Sequence, residues 1–285
     1  MKKYLALILA LALAFSLVGC GSQATSASPS AAAASSSAAA SPSAAPVALT
    51  VFAASSMTET LNKIITAYKA VAPNVTITPT YDSSGTLQTQ IEQGAACDIF
   101  ISAAQKQMDA LDVSKDATAN PKKQDFVDAT TRSNILENQV VLVVPTGNPA
   151  KITSFKDLAN AKMIELGNSD VPVGSYSLKI LKALGIDIKT LESAGKVSYG
   201  TSVKEVTTQV TQGTVDCGIV YLTDATSAKL TVVDTATKDM CGQVLYPAAV
   251  LKQTKNADAA KAFLAYIKSA DSMKIFEAVG FKAVS

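Results

Sequence analysis

The chain has 285 residues, a length that suggests two domains at about 150 residues each. It is 48% hydrophobic and 17% charged, with 14 Gly and 10 Pro, which allows a large core and excludes a collagen-like composition. Histidine is absent and Lys+Arg 25 stand against Asp+Glu 23, which excludes Ser-His-Asp and Cys-His catalysis, His-based zinc sites and the basic footprint of a nucleic-acid binder.

Met1-Lys2-Lys3 is a short basic start, followed by an apolar run over residues 4–18 that ends in small residues. The run is too short to cross a bilayer comfortably, so residues 1–19 read as a secretory signal peptide. Leu17-Val18-Gly19-Cys20 resembles the lipobox of bacterial lipoproteins, in which cleavage before Cys20 leaves its thiol to carry lipid. Residues 21–46 hold 11 Ala, 9 Ser and 3 Pro and no charged residue. With no larger apolar side chain there is nothing to pack, and residues 20–46 read as a tether that holds an extracytoplasmic body off a membrane. The body starts at Val47.

Residues 47–52 alternate weakly and predict a first strand. From Thr58, Leu61, Ile64, Ile65, Tyr68 and Val71 fall at helical spacing until Pro73. Residues 75–80 are β-rich, residues 86–93 read as a short helix stopped by Gly94, and residues 98–101 as a strand. Residues 139–145 (QVVLVVP) predict a buried strand of a second unit. Strand and helix then alternate through residues 162–166, 175–184, 203–211 and 215–221. Residues 246–252 predict a late strand, and two amphipathic helices follow over 257–269 and 271–279. This alternation argues for an α/β fold of two lobes, each a mostly parallel sheet flanked by helices. Lobe 1 is expected to comprise residues 47–137 and 247–285, and lobe 2 residues 138–246. A ligand in such folds sits beyond the carboxyl ends of the strands, here the cleft between lobes.

Four turns lead from strand to helix there. In Ala54-Ser55-Ser56-Met57-Thr58-Glu59, Ser56-x-x-Glu59 fits a capping box, and the same helix start offers N–H donors to an anion. Asp82-Ser83-Ser84-Gly85 is a second serine-rich turn. Val171-Pro172-Val173-Gly174 and Gly200-Thr201-Ser202-Val203 precede two further helices, where Pro and Gly leave N–H groups free. Tyr221 ends a strand with a phenol, either a core aromatic or a fifth donor. Donors alone suit a fully ionised oxyanion, which has no proton to offer, and several charge-assisted bonds can hold it without a cationic side chain. Arg132 is the single arginine, and near a lobe boundary it reads as a structural ion-pair residue.

At these positions the sequence resembles the molybdate-binding proteins of bacterial ABC importers, which have the type II periplasmic binding-protein fold. The matching stretches are residues 51–58 (VFAASSMT), 81–103 (YDSSGTLQTQIEQGAACDIFISA), 138–145 (NQVVLVVP), 167–176 (GNSDVPVGSY), 218–224 (GIVYLTD) and 246–250 (YPAAV). They span nearly the whole body, in order. The resemblance implies an oxyanion held by hydroxyls of Ser56 and Ser84, backbone N–H groups at Val173 and Val203, and the Tyr221 phenol. It implies molybdate or tungstate as ligand, no cofactor and no directly bound metal. An ABC permease is the implied partner, and the chain would be a lipid-anchored monomer. Cavity size would exclude sulfate. Cys97 stands where relatives often carry proline.

Rival readings are a sulfate or phosphate receptor of the same fold, for which Asp82 or Asp170 could accept a phosphate proton; an enzyme on the same two-lobe frame, for which the cleft motifs hold no nucleophile–base pair; and a surface adhesion module. Beyond Cys20 the cysteines are Cys97, Cys217 and Cys241, and an extracytoplasmic setting allows a Cys217–Cys241 disulfide.

Overall fold

The structure is a computed structural model that describes residues 45–284. The expected signal peptide, Cys20 and nearly all of the expected tether lie outside the described residues. β1 (Val47–Ala54) runs through one 3-10 turn, Ser55–Met57, into α1 (Thr58–Val71). β2 (Val75–Asp82), α2 (Ser84–Glu92), β3 (Ile99–Ile101) and α3 (Gln105–Asp109) follow. β4 (Ser133–Asn138) is then separated by a single residue from β5 (Val140–Val144). Next come β6 (Ile164–Gly167), α4 (Pro172–Ala183), α5 (Ile188–Ser193) and β7 (Val197–Gly200). They lead to α6 (Val203–Gln212), β8 (Cys217–Tyr221), α7 (Leu222–Ala228), β9 (Thr231–Thr235) and α8 (Lys238–Cys241). β10 (Val244–Val250), α9 (Ala257–Ile267), α10 (Ala270–Glu277) and β11 (Lys282–Ala283) close the chain.

The strands form two sheets. One has the order β11-β4-β10-β3-β1-β2, the other β7-β6-β8-β5-β9. Both are mixed, where mostly parallel sheets are expected from the sequence. The parallel pairs are β1–β2, β1–β3, β6–β7 and β6–β8. Each is linked through helices, as a parallel pair requires. The antiparallel pairs all involve β4, β5 or β10, the strands next to the points where the chain leaves one sheet for the other. It leaves the first sheet after Asn138, at the end of β4, and re-enters it at Val244, at the start of β10.

Period-2 alternation divides the core of the first sheet. Leu49, Val51, Ala53, Ile99 and Ile101 face the main cluster, while Phe52 and Phe100 face a smaller one with Leu87, Ile91 and Met108. A strand with apolar residues on both faces must be covered on both. β5 and β8 are buried at every residue, which makes them the spine of the second sheet.

Cys97, Cys217 and Cys241 are all buried free thiols, so the Cys217–Cys241 bridge does not form. Cys217 lies inside the second sheet, and Cys241 ends α8, where its thiol donates to the Thr237 carbonyl at 3.7 Å. Arg132 is a scaffold residue: its guanidinium pairs with Asp109 and, at 2.6 Å, with Asp112.

Candidate functional site

The strand ends expected to carry chemistry converge on one small cavity. It is bordered by Ala54, Ser55 and Ser56 after β1, by Asp82, Ser83 and Ser84 after β2, and by Ala103, Val171, Pro172, Val203 and Tyr221. No lysine or arginine borders it. The space it encloses is ≈ 10 Å³, about the room of one water and far below that of a drug-sized ligand. A wider hollow of ≈ 480 Å³ lies elsewhere, between α2 and the segment 118–122. There Lys122 is already paired with Glu92 at 2.5 Å, and the strand-end turns do not reach it.

Ser56 sits inside the 3-10 turn. The expected capping box does not form: α1 begins at Thr58, and no side chain caps it. The Ser56 hydroxyl instead meets the Tyr246 hydroxyl at 2.9 Å, and Glu59 turns to Lys204, with Nζ 2.9 Å from both carboxylate oxygens. Ser84 is the first residue of α2, behind Ser83, whose hydroxyl caps the helix by accepting from Thr86 N–H. Ser84 is fully buried, and its Oγ accepts the Ala103 N–H at 3.0 Å. That bond occupies the oxygen and leaves the proton of Ser84 for the cavity.

In the second sheet's half, Pro172 opens α4 and Val203 opens α6. First-turn N–H groups have no partner within their own helix, and neither Val173 N–H nor Val203 N–H finds another backbone acceptor among the described residues. Val203 borders the cavity. Val173 does not; Val171 and Pro172 take that place, because α4 starts three residues earlier than its apolar pattern suggests. A Cβ on Gly174 would lie 2.2 Å from the Gly167 carbonyl, so glycine there lets the start of α4 press against β6.

Tyr221 ends β8. It is 1% exposed, and its hydroxyl has no hydrogen-bond partner among the described residues. Burial pushes its pKa well above 10.0, so it is a neutral phenol with a proton to give. Rings of Tyr176 and Tyr246 pack edge-on against it, with centroids 6.4 and 5.8 Å away, and hold the phenol ring in place. A buried polar group without a partner is rare enough to require an explanation.

The structure thus brings Ser56, Ser84, Val203 and Tyr221 to one cavity. Sequence reasoning missed Tyr246 and Asn138, which stand behind Ser56. Asp82, weighed above as an acceptor for a phosphate proton, borders the cavity, and the Oδ1 of its carboxylate is bound by Ser83 N–H at 2.6 Å.

Two contacts join the halves at the rim. Gly85 N–H donates to the Asp170 carbonyl at 3.0 Å, and a Cβ at position 85 would come within 2.5 Å of that oxygen. Lys204, besides meeting Glu59, lies 3.2 Å from the buried Asp224. Desolvation raises the Asp224 pKa from 3.8 to about 6, partly offset by Lys204.

Two sheets joined by two crossings, with one cavity between them at the strand ends, define a two-lobed α/β binding protein of the type II periplasmic class. The family model for bacterial extracellular solute-binding proteins matches residues 49–282, and the chain belongs to that family, whose members bind a solute rather than transform it. YvgL of Bacillus subtilis (strain 168), provisionally named an ABC transporter substrate-binding lipoprotein, is 36% identical over 99% of each chain. The molybdate-binding protein ModA of Escherichia coli (strain K12) is 35% identical over 82% of this chain and 88% of its own. A solved substrate-binding domain from Clostridium difficile, provisionally assigned to a molybdenum ABC transporter, is 36% identical. It superposes with a TM-score of 0.62 over 84% of this chain and 100% of that one.

Proposed function

We infer that the chain is the solute-capturing component of an ABC importer and that its solute is molybdate or tungstate. One observation carries this reading. The Tyr221 hydroxyl, unpartnered among the described residues, Ser84, whose oxygen already accepts Ala103 N–H, and Ser56 border a cavity with no cation on its lining. Its hydroxyls offer protons, and Asp82 is the one carboxylate on the lining. A tetrahedral dianion accepts from every direction, and each charge-assisted bond contributes about 1.5–3 kcal/mol. The names of the relatives above support the same solute. Phosphate, which keeps a proton near neutral pH, needs an acceptor, and Asp82 has one oxygen committed to Ser83 N–H.

Donors come from both lobes, Ser56 and Ser84 from that of the first sheet and Val203 and Tyr221 from that of the second. An anion bridging them favours the closed arrangement by its differential affinity, and hinge opening then delivers it to the permease. Removal of residues 1–19 would leave Cys20 to carry lipid, with residues 20–46 as the tether of a monomeric receptor.

Calorimetry of the purified protein against molybdate, tungstate, sulfate and phosphate tests the assignment. Molybdate and tungstate should bind tightly. At 100 times its dissociation constant either should add about 2.7 kcal/mol of stability, a rise of several degrees in Tm. Binding of phosphate or sulfate with no binding of molybdate overturns the reading.

A further inference from the structure

Behind Ser56 lies a chain of buried hydrogen bonds whose direction can be read group by group. It begins at Asn138, the last residue of β4, where the chain leaves the first sheet. The Asn138 Oδ1 accepts the Gln139 N–H at 2.8 Å, which fixes which end of the amide is which. Its Nδ2 therefore donates both protons outward, to Thr223 Oγ1 at 3.0 Å and to the Tyr246 hydroxyl at 3.1 Å. Tyr246 lies on β10, the returning strand, and is fully buried. A phenol has one proton and an oxygen that accepts. Asn138 can only donate to that oxygen, so the Tyr246 proton has a single acceptor within reach, Ser56 Oγ at 2.9 Å.

Resting on the reading of Ser56 as an anion donor, we propose that Tyr246, oriented by Asn138, is a positioning residue for the bound oxyanion: by donating to Ser56 Oγ it turns the Ser56 proton into the cavity. Without that donor the Ser56 hydroxyl is free to rotate and spend its proton on the scaffold. Ala103 N–H does the same for Ser84, so each serine is polarised toward the cavity from behind. The Ser56 chain differs in its origin. Asn138 and Tyr246 flank the two crossings between the sheets, and Thr223 belongs to α7 of the second half. The orientation of a binding hydroxyl is thereby tied to the segments about which the halves would move.

A double-mutant cycle separates this role from a merely structural one. Molybdate affinity is measured by calorimetry for the unmodified protein, Tyr246→Phe, Ser56→Ala and the double variant, with circular dichroism and Tm recorded without ligand. Tyr246→Phe should weaken binding about tenfold where Ser56 is present, and should cost nothing further in the Ser56→Ala background. Asn138→Ala, which keeps the phenol, should weaken binding by a smaller factor and again only where Ser56 is present; it serves as the test if Tyr246→Phe does not fold. Losses that multiply independently of Ser56 overturn the proposal while leaving the site reading intact. If Ser56→Ala alone binds molybdate as the unmodified protein does, the placement of Ser56 in the site fails, and the proposal with it.

Discussion

In the site proposed above, the donors on the β1–β2 side are side chains, Ser56 and Ser84, whereas on the α6 side the donor is the main-chain N–H of Val203 in a first turn, with Tyr221 as the one hydroxyl. The difference decides what substitution can reach. A serine donor is deleted by alanine. A backbone donor survives every replacement except proline, so its residue can vary while its chemistry stays. The serine side must also be oriented from behind, by Tyr246 and by Ala103 N–H, because a hydroxyl rotates. A helix N–H is aimed by the helix itself.

The largest expected effect comes from preventing the two sides from meeting. Gly85→Ala places a Cβ against the Asp170 carbonyl, and molybdate affinity should fall about 100-fold or more through lost cross-cleft bonds. Tm without ligand should change little; affinity like that of the unmodified protein would mean that this contact does not set closure. Next in size is the comparison of donor types. Ser84→Ala should weaken binding by about 1.5–3 kcal/mol. Val203→Ala should leave affinity near that of the unmodified protein, whereas Val203→Pro should lose about as much as Ser84→Ala. Proline lacks only the donor at the first position of a helix, and Ser202 before it already has the extended backbone, φ −149° and ψ 162°, that proline demands. Tight binding by Val203→Pro would remove that N–H from the site.

The smallest effect concerns the rim. The folded state holds the Asp224 proton more tightly than the unfolded state, 3.8 rising to about 6. Its contribution to stability is therefore present below pH 3.8 and is lost as pH rises through about 6. Asp224→Asn should flatten the dependence of Tm on pH across that window. An unchanged slope would show that Lys204 compensates the buried carboxylate in full.

Much of this was legible because it rests on side-chain type and period. The helical spacing from Thr58 to Val71, the apolar run at residues 140–144 and the serine turns each leave a local mark. What stayed hidden depends on partners distant in sequence. β4 holds only two buried apolar residues, Ile135 and Leu136, and is a strand because β10 and β11 pair with it. β7 and β9 are sheet edges with exposed residues, so neither shows the apolar run of a central strand. The capping box failed because Ser56 had a better partner 190 positions away in Tyr246. Where α4 begins, and so which N–H groups it leaves free, was also hidden, because helix starts carry no apolar period and a main-chain donor has no letter of its own.

Arg132 is fully engaged with Asp109 and Asp112 in the scaffold. A guest held without a formal counter-ion leaves no stranded buried charge when it departs, the event that makes a broken ion pair so costly. Its hold divides among several weak grips that loosen in turn as the jaws part. If the chain hands its anion on as proposed, that gradual letting-go would spare it the cost of baring a buried charge at release.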